Sequence, residues 1–347
     1  MTAAAASGQD RRVECFHHPA QARHAPAFEM HNGRLIASLE VPDRAQAIAT
    51  RLGPMAAPAD FGMEPIAAVH SAEYLQFLAS GHDEWRAAGR DGEALPYVWP
   101  VVGRRPLALA RIDARLGRFS FDATTPLGPD TFESAYASAQ TGLAAAAAVR
   151  AGARAAFGLC RPPGHHAGAD YMGGYCYLNA AAIAAHWLGV AYGGRIAVLD
   201  IDYHHGNGTQ DIFWRRGDVF FASIHADPSG DYPFYWGHAD ERGEGEGSGT
   251  TLNLPLPRGT GADAYRRALG EALAAISDFA PSALVVSFGA DTHEDDPIGG
   301  FCLQTPDFRR IAGDIAACGW PTAILMEGGY AVDRLADSVT GFLDGFA

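Results

Sequence analysis

Six short apolar runs (AAFGLC, RIAVLDI, DVFFASI, TTLNLPL, SALVVSFG and TAILME) recur between residues 155 and 327 of a 347-residue chain. Stretches of helical length, rich in alanine and leucine, lie between several of them: Tyr177 to Leu188, Asp263 to Phe279 and Pro306 to Cys318. A last helix is predicted from Val332 to Phe346. Runs without polar alternation suit strands buried on both faces, and strands joined through helices pair in parallel. The pattern therefore predicts one α/β domain with a parallel sheet between helical layers. Residues 1–12 are small and polar and read as a loose tail, which leaves 13–347 as the domain. Residues 80–130 are rich in Gly, Pro, Arg and aromatics without clear periodicity. They read as a long functional loop or an interaction surface.

Almost every β run ends in unusual chemistry: LCRPPGHH, VLDIDYHHGNG, SIHADP, SFGADTHEDDP and MEGGY. Ligands of open α/β sheets bind at the carboxyl ends of the strands, so these ends should share one pocket. If the second run stays extended, alternation puts Asp200, Asp202 and His204 on one side. Carboxylate and imidazole are suitable ligands for zinc or a similar divalent ion, and Asp291 is the best further ligand. Two aspartates and one histidine would leave a coordination position open for water and substrate, as in a catalytic site. Each acid taken alone could cap a turn, but so many buried charges need a partner or a metal. His165 and His166, aimed by a stiff Pro-Pro-Gly lead-in, could move protons at such a site. The Tyr330 phenol could donate to a carbonyl oxygen as it becomes an oxyanion.

Composition excludes several alternatives. A net charge of −14 argues against a nucleic-acid surface and suits a cationic substrate; every basic residue is arginine. The five cysteines form no C-x-x-C pair, so neither a thiolate zinc site nor a disulfide framework is indicated, and a reducing cytoplasm is the expected compartment. No signal peptide is read at the N-terminus, and arginines break the alanine-rich stretch that most resembles a membrane span. RGEGEGSGT lacks the lysine of a phosphate loop and carries two glutamates, and no G-x-S-x-G supplies a serine nucleophile.

Six motifs in order, RPPGHHAG, GGYCYLNAAAIA, VLDIDYHHGNGTQDIF, FFASIHADP, GADTHEDDP and MEGGY, resemble the metal-dependent deacetylases of the histone deacetylase superfamily. The likeness runs from about Leu127 to the C-terminus and is nearest to the bacterial acetylpolyamine amidohydrolases. It implies an arginase/deacetylase-like fold, a single three-layer α/β/α domain with an eight-stranded parallel sheet. It also implies one catalytic Zn2+ on Asp202, His204 and Asp291, a site that Fe2+ or Co2+ would also accept. His165 and His166 would then share the roles of general base and general acid, with His166 accepting the water proton, and Tyr330 would be the carbonyl polariser. Asp200 would orient His165 and, with Ser223, Ile224 and the backbone of Asp202 and His204, hold a structural K+. Tyr175 and Tyr232 would wall a narrow tunnel, with Gly174 accepting a hydrogen bond from the substrate amide. Asn207 stands where some members have an acid behind the second histidine, which implies a less basic His166. Thr124 replaces a loop glutamate that holds the distant ammonium in the acetylpolyamine enzymes, with Asp113 and Asp122 as nearby substitutes. The loop at 80–130 would shape the entrance and a homodimer interface.

The reading is a zinc-dependent amidohydrolase that removes acetyl groups from small cationic amines through metal-bound water. The alternatives are a protein acetyl-lysine deacetylase, an amidase for another small or xenobiotic amide, and a non-catalytic acyl-amine sensor. No nucleic-acid or membrane partner is expected.

Overall fold

The computed structural model describes residues 13–101 and 108–347. The expected tail at 1–12 and part of the 80–130 segment lie outside the described residues. Nine strands are described: β1 (Glu14–Phe16), β2 (Phe28–His31), β3 (Arg34–Ala37), β4 (Ala155–Gly158), β5 (Ile196–Asp200), β6 (Val219–Ala226), β7 (Thr251–Leu256), β8 (Ala283–Phe288) and β9 (Thr322–Met326). The α-helices are α1 (Pro42–Leu52), α2 (Glu64–Ala67), α3 (Ala72–Ala87), α4 (Ile112–Arg118), α5 (Thr131–Arg150), α6 (Ala180–Tyr192), α7 (Asn207–Phe213), α8 (Ala262–Phe279), α9 (Thr305–Ala317) and α10 (Val332–Asp344).

Seven strands form one sheet in the order β1-β4-β9-β8-β5-β6-β7, every pair parallel. Strand alternation sorts the side chains between two cores. Ile196 and Val198 of β5 face one with α5 and α6, while Ala197 and Leu199 face the other with α8, α9 and α10. This is the expected three-layer architecture with seven strands rather than eight. At the eighth position, beside β1, the chain makes a single parallel bridge, Phe16 to Ala56. Pro54 and Pro58 flank Ala56, and proline cannot donate to a ladder, so pairing ends after one residue.

All six apolar runs form strands, and the four expected helices form within a few residues of their predicted ends. Asn179 caps α6 by accepting from the Ala182 amide at 2.8 Å, and Gly193 closes it in the left-handed conformation. The segment at 80–130 is not wholly irregular. Residues 80–87 complete α3, and 112–118 form α4.

The sheet order places the functional strand ends. From β5 the chain proceeds outward through β6 to β7, then returns to β8 and moves the other way to β9. The crevice between the ends of β5 and β8 is thus a topological switch point, where such sheets bind ligands.

Candidate active site and metal centre

Strand β5 stops at Asp200, which lies opposite Ser223 of β6 and Ser287 of β8. The run does not stay extended to His204, because its own acids turn it. Asp200 Oδ1 accepts from the Asp202 amide at 3.1 Å, and Asp202 Oδ1 from the His204 amide at 2.9 Å. Such side-chain bonds to the backbone two residues on are turn formers. The turn separates Asp200 from the group that alternation had predicted and brings Asp202 and His204 to Asp291 at the end of β8.

Asp202 and Asp291 are fully buried, and His204 nearly so. His204 Nδ1 lies 3.0 Å from Asp291 Oδ2 and 3.3 Å from Asp202 Oδ1. One ligand atom from each of the three lies within 4.8 Å of the others. Two glycines make room for the carboxylates. A Cβ at Gly289 would fall 2.0 Å from Asp202 Oδ2, and one at Gly328 2.5 Å from Asp291 Oδ2. Burial and the facing Asp202 push the Asp291 carboxyl upward.

The histidine pair sits beside this group, with ring centroids 4.0 Å apart. His165 Nδ1 lies 3.0 Å from Asp200 Oδ2, and the Gly164 and His165 amides donate to Glu327 Oε2 at 2.6 and 3.1 Å. Burial opposes charge on His165, yet Asp202 and Asp200 raise its pKa to about 10. His166 goes the other way: burial, with His165 and His204 nearby, holds it well below the usual histidine range. Its Nδ1 lies 2.7 Å from Asn207 Oδ1. Since an amide oxygen only accepts, Nδ1 carries the hydrogen and Nε2 keeps its lone pair. Asn207→Asp is therefore expected to move the acid limb of the kcat/KM–pH profile up by about one unit. A carboxylate there favours protonated His166, so the neutral base is lost at a higher pH. An unmoved limb would contradict His166 as the titrating base.

Tyr330 follows β9. Its amide donates to Asp296 Oδ2 at 2.7 Å, and the Arg44 guanidinium lies 4.6 Å from its ring centroid. Arg44 also donates to the carbonyls of Gly329 and Glu327, each at 2.6 Å, which fixes the turn that carries the tyrosine. Burial keeps the phenol protonated far above its ordinary range.

His166, His204, Tyr330, Gly174, Tyr175 and Tyr232 line one cavity of about 430 Å³. Gly174 has φ +54°, and a Cβ on it would lie 2.2 Å from His166 Cδ2. Tyr175 also has positive φ, +65°, where few residues other than glycine sit. Two hydrogen bonds hold it there: its amide to Thr125 Oγ1 at 2.9 Å, and its hydroxyl to Glu29 Oε1 at 2.8 Å. Tyr232 is tied through its hydroxyl to Asp122 Oδ2 at 2.7 Å, and the Gly174 amide donates to the same oxygen at 2.7 Å.

Thr124 lines the cavity too, and its hydroxyl donates to Asp122 at 2.8 Å. Neither proposed stand-in for a loop glutamate is free. Asp122 accepts from Thr124, Thr125, Gly174 and Tyr232; Asp113 is paired with Arg90 and Arg111, away from the cavity lining. Asp200, Ser223 and Ile224 are all fully buried, and Ser223 Oγ lies 2.8 Å from His225 Nδ1. Sequence reasoning missed Glu29, Arg44, Asp296 and Glu327. Of these, Glu327 and Asp296 carried a signal, as acids within the strand-end motifs MEGGY and SFGADTHEDDP.

Two carboxylates and an imidazole at a switch point, with a histidine pair and a phenol beside them, make an arrangement suited to metal-assisted hydrolysis. Residues 29–346 match the family model of the histone deacetylase domain. The chain is 46% identical over 333 residues to acetylpolyamine amidohydrolase 1 of Pseudomonas aeruginosa, covering 93% of this chain and 95% of that protein. It is 44% identical over 324 residues to the acetylpolyamine amidohydrolase of Mycoplana ramosa, covering 92% and 95%. The crystal structure of an acetylpolyamine aminohydrolase from Burkholderia pseudomallei superposes with a TM-score of 0.92 at 44% identity, over 96% of this chain and 98% of that one. The chain belongs to the histone deacetylase family. It is a hydrolytic deacetylase, and the family is metal-dependent.

Proposed function

We propose that this protein is a zinc-dependent amidohydrolase that removes the acetyl group from small cationic amines of the acetylpolyamine type. One observation carries the reading: His166, His204 and Tyr330 line one cavity with two aromatic walls, with Asp202 and Asp291 clustered on His204 and His165 packed on His166. The names of the bacterial relatives and the charge of −14 support a cationic amine as substrate.

The donor set suits Zn2+, and Gly289 and Gly328 let both carboxylates approach the place it would take. Bound there, the ion would supply Lewis-acid polarisation of the substrate carbonyl and acidify the attacking water. His166 accepts the proton of that water at Nε2, its ring held by Asn207. His165, protonated against Asp200, is poised to give a proton to the departing amine. Tyr330 donates its hydroxyl hydrogen to the carbonyl oxygen as negative charge develops there. Asp200, Ser223 and Ile224, with the carbonyls of Asp202 and His204, are proposed to hold K+, since oxygen donors suit a hard cation.

Tyr330→Phe is expected to lower kcat by about 10²–10³-fold with little change in KM, because the donor acts where charge develops. An effect on KM alone would contradict its role.

A homodimer formed through residues 80–130 is part of the proposal, supported by the exposed apolar side chains of Tyr97, Val98, Trp99 and Val101. Cytoplasmic residence is also proposed; no described helix is long and apolar enough to cross a membrane.

The test is amine release by zinc-loaded protein from N-acetylputrescine, N-acetylcadaverine, acetylspermidine and an acetyl-lysine peptide, with a hydroxamate control. Hydroxamate-sensitive preference for the small amines supports the reading. Preference for the peptide would move the protein to the protein-deacetylase side, and no turnover of any would remove this substrate class.

A further inference from the structure

Above the metal-binding donors, the described cavity lining contains one carboxylate, Asp231, and one permanent cation, Arg258. They form an ion pair, and the two are unequally placed: the Asp231 side chain is 12% exposed and that of Arg258 61%. Arg258 is held by more than its partner. It donates to the Tyr203 hydroxyl at 3.2 Å and to the Gly299 carbonyl at 3.3 Å. A Cβ at Gly300 would fall 2.8 Å from Arg258 Cζ, so the guanidinium packs closely against that backbone. Asp231 directly precedes the wall residue Tyr232, which fixes the pair beside the entrance.

We propose that the Arg258–Asp231 pair sets the charge that the entrance accepts, so that acetylated amines with a single distal ammonium are favoured over those with several. This rests on the proposed amide hydrolysis. The carboxylate that would attract a cation is already compensated and mostly covered, and the group presented to solvent is a guanidinium. The protein's overall negative charge draws polycations toward it, but that field acts at long range. Close to the entrance, the more exposed charge of the pair is that of Arg258, which repels an extra ammonium. Thr124 adds no opposing charge there.

The experiment compares kcat/KM for uncharged N-butylacetamide, N-acetylputrescine with one ammonium, and N1-acetylspermine with three. In the wild-type protein, acetylspermine should not be preferred over acetylputrescine. Arg258→Gln should raise the ratio of acetylspermine to N-butylacetamide by about fivefold, and Asp231→Asn should lower it by about as much, as expected for unit charges several ångströms apart at a half-exposed site. Opposite shifts from the two variants are what charge reading requires, whereas loss of a merely structural pair would move both ratios together. Ratios that shift in the same direction, or by less than about twofold, would overturn the inference. If the wild-type protein hydrolyses none of the three, the proposed function fails. The inference is then decided by binding: calorimetry on the zinc-loaded protein, with an alkyl hydroxamate and its ω-ammonio counterpart. The same opposite shifts in the affinity ratio uphold it, and their absence overturns it.

Discussion

Asp202→Ala is expected to lose both bound zinc and turnover, the latter by about 10³-fold or more, the scale at which removal of a central electrostatic group is felt. Two buried carboxylates hold the site with one imidazole, and alanine removes one of them. It also strips acceptors from the backbone, since Asp202 Oδ1 takes the His204 amide and Oδ2 the Gly328 amide at 2.8 Å. Asp202→Asn separates the effects, because it keeps most of the shape and removes the charge. Metal per chain by atomic emission should fall in both variants, while the melting temperature should fall further in the alanine protein. A variant that keeps stoichiometric zinc and near-wild-type kcat would overturn the assignment of Asp202 as a ligand.

His166→Ala is expected to reduce kcat by about 10³-fold, within the range of a positioned acid–base group. Zinc content should stay at the wild-type level, which distinguishes a lost base from a lost ligand. Truncation of the ring also removes the 2.7 Å contact to Asn207. Activity at a tenth of wild type or above, with metal retained, would show that the attacking water needs no proton acceptor at this position.

The sheet and the residues clustered at its strand ends were legible for the same reason. A strand covered on both faces must be apolar along its length, so an acid at its end stands out. Asp202, His204, Asp291 and Tyr330 were visible on that ground. The turn at 201–204 was not, because alternation describes an extended chain and cannot anticipate acids that bond to the backbone two residues on. Most of the N-terminal third was also unreadable. Strand β1 has three residues, and the β2–β3 hairpin leaves Phe28 and Leu35 exposed, so neither gives a clear periodic pattern. Helix α5 buries fourteen of its twenty residues and lacks a polar stripe to set its period. Glu29, which braces one tunnel wall from that hairpin, could be found only once the chain had folded.

The central place of β9 has a consequence for how the molecule comes into being. On one side it pairs with β4 and, through it, β1; on the other it pairs with β8 and the strands beyond. Among the described strands it is also the last in chain order, and Tyr330 follows it. Until both are made, the two flanks of the sheet have no strand to join them, and the pocket lacks its phenol. A nascent chain therefore cannot hold a finished catalytic centre before β9 and Tyr330 have been made. Stop codons anywhere before the end of β9 should yield protein that is unfolded as well as inactive, and hydrolysis requires a chain made through Tyr330.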